Sequence, residues 1–333
     1  MECPKLKLPP YCCNPCKSKL RCSLTKHYYY AQPAHKAYET KIRDNRTGYC
    51  ITLEEAEKIS KYLEPLVLQG HSVHHICATH KDEIMFCEKT IYTYIDAGVF
   101  NLKNIDLPRK VRYKLRKKPN EYKVDKKCRQ DRTYEDFLAF MSENDEPALV
   151  QMDTVKGSKT GKTLLTLHFV SCGFMLAYLR EDNSAKSVKD IFLMLRERLG
   201  DELFKTLFPV ILTDNGSEFS DPVSLEFDSD TGERMTYIFY CDVRHSEQKG
   251  SIEVNHEFIR RISPKGVSLD KLTQVDIDLM MSHINSYKRK KYNDLSPFEL
   301  FERYYGEGVA ERLNIFRIHS DDIILTPKLF KKN

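Results

Sequence analysis

The chain has 333 residues, 41% hydrophobic and 30% charged, with a formal net charge of +5 at pH 7. That length suits two or three domains with at least one sizeable core. No run approaches the roughly 18 apolar residues of a membrane span, and the opening "MECPKLKLPPYCCNPCKSKL" lacks the apolar stretch of a secretory signal. A soluble, cytoplasmic protein with no membrane partner is expected.

Five of the 11 cysteines fall in the first 22 residues: Cys3, Cys12, Cys13, Cys16 and Cys22. Cys13-x-x-Cys16 has the reach of half a zinc site, and Cys22 with Cys3 would complete four thiolates. The alternative is a set of unligated thiols. "TKHYYYAQPAHKAYETKIRDNRTGY" reads as a helix ending near Gly48, which closes an N-terminal segment 1–48.

Residues 49–100 read as three helices. Thr52 and Glu55 form a capping-box pair at the start of the first, and Gly70 ends it. Ser72 caps the second, with Val73, Ile76 and Cys77 on its apolar side. The third begins near Cys87 and stops at Gly98, with Ile91 and Ile95 at i,i+4. Short helices ahead of a basic segment suit a helix-turn-helix, with Lys89, Thr90, Tyr92 and Thr93 facing DNA. A purely structural helical unit is the other reading.

A basic linker, 101–147, follows. Its stretch 101–130 holds twelve Lys and Arg against three acidic residues. Arg109, Lys110, Arg112, Arg116, Lys117 and Lys118 are candidate phosphate contacts, because neutralising phosphates releases counterions and drives association. A solvated linker would have the same composition. "SENDEPAL" marks its end.

Beyond it the pattern changes. Residues 148–155, 163–172 and 174–182 are β-rich runs joined by short glycine-containing turns. Residues 184–200 form a helix capped by Ser184, with Val188, Ile191, Phe192, Leu195 and Leu199 as its apolar face. Strands at 208–214 and 235–242 and a helix at 251–262 complete an α/β layer on a mixed sheet, residues 148–265. Residues 266–333 supply C-terminal helices and a tail.

Three carboxylates are candidates for chemistry. Asp153 lies inside the first strand between Met152 and Thr154, where a charge needs compensation. Asp214 ends the strand "FPVILTD" at the carboxyl edge where open α/β sheets carry their sites. Its neighbours Asn215 and Gly216 would also make an ordinary turn. Glu253 sits on a helix with His256, Glu257 and Arg260 at i+3, i+4 and i+7. Two strand aspartates and a helix glutamate are the hard oxygen ligands that a pair of Mg²⁺ or Mn²⁺ ions takes for an in-line displacement at phosphorus.

"VQMDTVKGSKTGKTLLTLHF", "ILTDNGSEF", "CDVRHSEQKGSIEVNHEFIRRISPKG" and "INSYKRKKYNDLSPFELF" resemble the integrase-type core of insertion-sequence transposases, most closely the IS30 family. The resemblance implies an RNase H-like core, preceded by a helix-turn-helix-type DNA-binding region. It carries the family's Asp-Asp-Glu triad onto Asp153, Asp214 and Glu253. It further implies metal-dependent cleavage at element ends and joining of the freed 3′-hydroxyl to target DNA. His245, Lys249, Asn255 and Arg260 would contact DNA or support the triad. Partners would be terminal inverted repeats and target DNA, held by a homodimer or larger synaptic assembly. Many relatives carry a further helix-turn-helix ahead of the cysteine segment, and this sequence starts almost at the cysteines; a shortened copy is one reading, which the sequence leaves open. The Asp214-to-Glu253 spacing is a few residues longer than the family's, with the excess near "LEFDSDTGERMTY", read as a hairpin or loop. A non-catalytic DNA-binding regulator and a nuclease that cuts without joining are the alternatives.

Overall fold

The structure, a computed structural model, describes residues 3–46, 49, 51–108, 127–158, 161–243 and 245–330. It divides into two units, Met1–Glu55 and Ala56–Asn333. In the first, the cysteine-rich stretch turns back on itself. The Cys13 N–H donates to the His27 carbonyl at 2.6 Å, and the Asn14 side chain pairs with both backbone groups of Tyr29. Helix α1 (Ala31–Arg46) follows; its expected stop, Gly48, lies outside the described residues.

The three helices expected next are present. At the start of α2 (Leu53–Leu68), Thr52 and Glu55 exchange backbone-to-side-chain bonds of 2.9 and 3.2 Å. Gly70 ends it with φ +93°, and a Cβ there would lie 2.9 Å from the Leu325 carbonyl, so only glycine fits. Ser72 caps α3 (Val73–Thr79) through the His75 N–H. Helix α4 (Glu88–Asp96) buries Ile91, Tyr94 and Ile95.

The histidines of "GHSVHHICATH" fasten these helices to the C-terminal part of the second unit. His71 Nε2 lies 2.5 Å from the Ile323 carbonyl, and His74 bridges Glu88 and Asp294 at 2.7 and 2.6 Å. His75 accepts from the Lys288 N–H at 3.1 Å and stacks on Tyr287, and His80 meets Asp321 at 2.9 Å.

The second unit is built on a mixed sheet. Strands β1 (Leu149–Lys156), β2 (Thr163–Phe169) and β3 (Met175–Arg180) run antiparallel in sequence. Strands β4 (Val210–Thr213) and β5 (Tyr237–Tyr240) add parallel to the other side of β1, giving the order β3-β2-β1-β4-β5. Three antiparallel strands followed by two parallel ones is the RNase H-like arrangement. Helix α5 (Tyr134–Glu143) precedes β1. Helices α6 (Ala185–Leu199), α7 (Asp201–Leu207) and α8 (Val223–Glu226) come between β3 and β5. After β5 come α9 (Gly250–Ile262), α10 (Gln274–Ser286), α11 (Pro297–Tyr305) and α12 (Val309–Arg312).

Side-chain alternation assigns the two faces of the sheet. Val150, Met152, Ile211 and Ile238 join the main core with the α6 stripe Val188, Ile191, Phe192, Leu195 and Leu199. Leu149, Val210, Leu212 and Phe239 point the other way and pack with Phe137 and Phe140 of α5. Helix α5 lies in the segment expected to be linker. Its signal was present in the Thr133–Asp136 capping box, which closes at 2.8 and 3.2 Å. The extra residues before Glu253 do form a hairpin: Phe227 bridges Arg234, and the Asp228 carboxylate accepts the Asp230 and Thr231 N–H groups.

Burial pushes His75 and His168 down to about 3 and His283 down to about 4. All three are neutral when folded and take up protons on unfolding below their ordinary 6.5. Stability that is full above pH 6.5 is therefore lost as pH falls toward 4 and then 3. We expect urea midpoints to drop steeply between pH 6.5 and 5, each histidine contributing up to about 1.4 kcal/mol per pH unit. Equal midpoints at pH 7 and 5 would contradict these burial assignments.

Candidate active site

Parallel pairing of β1 with β4 matches Gln151 to Leu212. Two residues on, the same register sets Asp153 beside Asp214, and alternation turns both toward the α5 face. Asp214 follows the last residue of β4, so it stands at the carboxyl edge of the sheet. The expected turn also forms: Asp214 Oδ1 accepts the Gly216 N–H at 3.0 Å, and Asn215 Nδ2 donates to the Cys241 carbonyl at 2.8 Å. The turn and the site use the same aspartate.

Gln151, one pleat before Asp153 on the same face, brings α9 to this edge. Its Oε1 accepts the Ile252 N–H at 2.9 Å, and its Nε2 donates to the Gln248 carbonyl at 3.4 Å. Buried at 4% exposure, it satisfies one of the orphan donors at the start of α9. Gln151→Leu should cost about 1–3 kcal/mol, because both backbone partners lose their bonds. An unchanged urea midpoint would show that α9 is held by other means.

The residue just before α9 is Lys249. Its ammonium lies 3.5 Å from Asp153 Oδ1, 3.6 Å from Asp214 Oδ2 and 3.2 Å from the Met152 carbonyl. Only 5% exposed, it is a cation shared by two carboxylates, not a surface contact for DNA. His256, two turns into α9, stands 3.9 Å from Asp153 Oδ2 through Nδ1 and 2.9 Å from Thr166 Oγ1 through Nε2. Burial first, then the charges of Lys249 and Arg260, hold His256 down to about 3. Thr166, paired with Asp153 across the β1–β2 ladder, donates to its carbonyl at 3.0 Å.

Asp214 is held above the ordinary aspartate range. Loss of hydration is the main cause, with the charges of Asp153 and Glu218 adding; the Lys249 ammonium and the Gly216 N–H oppose it. The side chain keeps 46% of its surface accessible, so the carboxyl is ringed by protein while the mouth of the site stays open.

Glu253 lies exposed in the first turn of α9. Its i−4 and i+3 neighbours, Lys249 and His256, both reach Asp153, so it occupies the helix face that looks along this edge. Among the described residues no three His, Cys, Asp or Glu side chains converge closely enough to hold a metal ion. The aspartate pair nonetheless fits a cation, since it already shares the Lys249 ammonium. The N-terminal cysteines do not assemble into one site: Cys3, Cys13, Cys16 and Cys22 are free thiols, and Cys13 Sγ accepts the His27 N–H at 3.4 Å.

Other expected contacts are distributed unevenly. Asn255 is 3% exposed and spends its side chain on His168, Ser251 and Arg289, so it braces α9 from inside and does not meet DNA directly. Half-buried Arg260 donates to the Lys156 carbonyl at 2.9 Å. His245 is exposed and paired with Glu247 at 2.7 Å. Lys89 and Thr93 are exposed on α4, and Thr90 and Tyr92 are half-buried. Eight residues, 80–87, join α3 to α4, longer than the three or four of a helix-turn-helix connection. Arg109, Lys110, Arg112, Arg116, Lys117 and Lys118 lie outside the described residues. Gln151, Thr166 and Glu218 were not foreseen; the signal for Glu218 lay in "DNGSEF", whose acid is 7% exposed beside the site.

No family model matches the chain. It is 28% identical over 236 residues to a protein named as the transposase of insertion-like sequence element IS1161 of Streptococcus salivarius, covering 69% of this chain and 63% of that one. It is 30% identical over 161 residues to the transposase InsI of element IS30A of Escherichia coli K12, covering 47% and 38%. The chain is similar in sequence to transposases of insertion elements, those of IS30 among them. A protein named as an integrase of Spiroplasma virus SpV1-R8A2 B is 24% identical over 281 residues, 82% of this chain and 81% of that one. The chain thus spans less than two thirds of the length of the two transposases. Among solved structures, the catalytic core of BIV integrase covers 46% of this chain and 93% of its own at 18% identity and TM-score 0.32. At that score the fold rests on the strand order alone.

Proposed function

We propose that the chain is a DNA transposase that cuts element ends and joins them to target DNA with divalent metal ions. The observation that carries this reading is the pairing of Asp153 with Asp214 around one shared cation at the carboxyl edge of adjacent parallel strands. The names of the transposase and integrase relatives support it.

In this reading Asp153 and Asp214, with Glu253 from α9, hold Mg²⁺ or Mn²⁺. The bound ions supply Lewis acidity for the attacking oxygen and charge neutralisation for the leaving one. The residues of the chain position and compensate. Thr166 braces the backbone of Asp153, and Gln151 sets the start of α9. Hydrolysis at the element end forms a P–O bond from water as the P–O3′ bond breaks, leaving a 5′-phosphate and a protonated, free 3′-hydroxyl. That hydroxyl then attacks a target phosphate, forming one P–O bond and breaking another with no net change in their number. The basic stretch 109–118 and the outward side of α4 grip DNA, and joining two ends calls for at least two copies of the chain.

The test is an assay with labelled element-end duplex, plasmid target and Mg²⁺. Nicked ends and end–plasmid joined products are expected. Nicks without joined products would favour a nuclease, and binding without nicks would favour a regulator.

A further inference from the structure

A cleft of about 660 Å³ opens between α4, the first turns of α9 and the segment after α10. Five cations line it (Arg261, Lys288, Arg289, Lys290 and Lys291), and no carboxylate is among the described lining residues. Rings line it too: Tyr92 and Tyr292 are half-buried, and Phe258 and Tyr287 form its floor. The guanidinium carbons of Arg289 and Arg261 lie 4.6 and 4.7 Å from the centre of the Phe258 ring, so both cations rest against it. Arg289 is braced by the Asn255 and Ile284 oxygens, and its Nε–H has no acceptor within the protein. Lys291 stands 5.4 Å from the Tyr292 ring.

This composition selects one class of ligand. The exposed cations Lys290 and Lys291 attract phosphates, and accessible tyrosines offer faces on which bases stack. The volume is that of a small-ligand pocket, which suits one or two nucleotides and not a duplex. Its α9 wall, Ser251, Val254, Phe258 and Arg261, is the side of that helix turned away from Lys249, Glu253 and His256.

We infer that the cleft binds unpaired nucleotides of a DNA strand, stacking a base on Tyr92 and placing phosphates on Lys290 and Lys291. The inference rests on the DNA reading above and goes beyond it in requiring that part of the bound DNA be single-stranded.

Fluorescence anisotropy with the full chain tests it, comparing a blunt duplex with the same duplex bearing a thymidine overhang of about six nucleotides. The overhang should tighten binding about tenfold. Tyr92→Ala should remove that advantage, while Tyr92→Phe keeps it. Lys290→Gln with Lys291→Gln, both exposed positions, should lower the salt dependence of overhang binding by about one to two in log–log slope. This does not depend on the half-buried Tyr92 variant folding well. Equal affinity for both duplexes, an overhang advantage that survives the tyrosine and lysine changes, or tighter binding of an RNA overhang would overturn the inference. No binding of any duplex would overturn the DNA reading itself, and the cleft assignment with it.

Discussion

Asp214→Asn is expected to lower strand cleavage by at least about a thousandfold, because it removes a charge aimed at the metal and the reacting phosphate. Asn keeps an oxygen that can accept the Gly216 N–H, so the turn at the end of β4 should survive. Asp153→Asn should behave alike, since the Thr154 N–H donates to its Oδ1 at 2.8 Å and a side-chain oxygen is retained. Element-end binding by both variants should stay within about twofold of the parent, as neither aspartate attracts phosphate directly. Glu253→Gln tests the third member separately. Cleavage that persists in Asp214→Asn would show that the pair at this strand edge is not catalytic.

Lys249→Met carries the second large effect, and it is read without any DNA. The ammonium is 5% exposed and lies within 3.6 Å of two carboxylates that would otherwise repel each other. Breaking a buried ion pair costs about 3–5 kcal/mol, reduced here to about 2–3 because Asp214 remains partly solvated. The melting temperature in metal-free buffer should fall by several degrees, and millimolar Mn²⁺ should restore much of the loss by supplying the missing charge. A variant that melts like the parent without metal would mean that Lys249 does not compensate the pair.

The elements that sequence exposed are those whose signals are local. Ser184 and the Val188–Leu199 stripe announced α6, Ser72 announced α3, and Thr52 with Glu55 announced the start of α2. Asp153 stood out as a charge inside an apolar strand and Asp214 as one ending such a run, and the parallel register explains how residues so far apart in the chain become neighbours. What stayed hidden depends on pairing across the fold. Gln151 reads as one more strand residue until α9 lands on it, and Asn255 reads as a polar helix position until His168 and Arg289 close around it. The histidines of 71–80 look like solvated residues, yet they fasten α3 to a C-terminal segment more than 200 residues away. The cysteine spacing suggested a metal site, but among the described residues the thiols do not converge as a set of ligands.

The measurement that bears most directly on the central claim is a crystal of the chain grown with Mn²⁺ and read for anomalous scattering. We expect at least one peak bonded at about 2.1–2.2 Å to oxygens of both Asp153 and Asp214, with the Lys249 ammonium displaced and Glu253 turned toward the ion. Millimolar Mn²⁺ that leaves no peak there, with Lys249 still bridging the two aspartates, would contradict it.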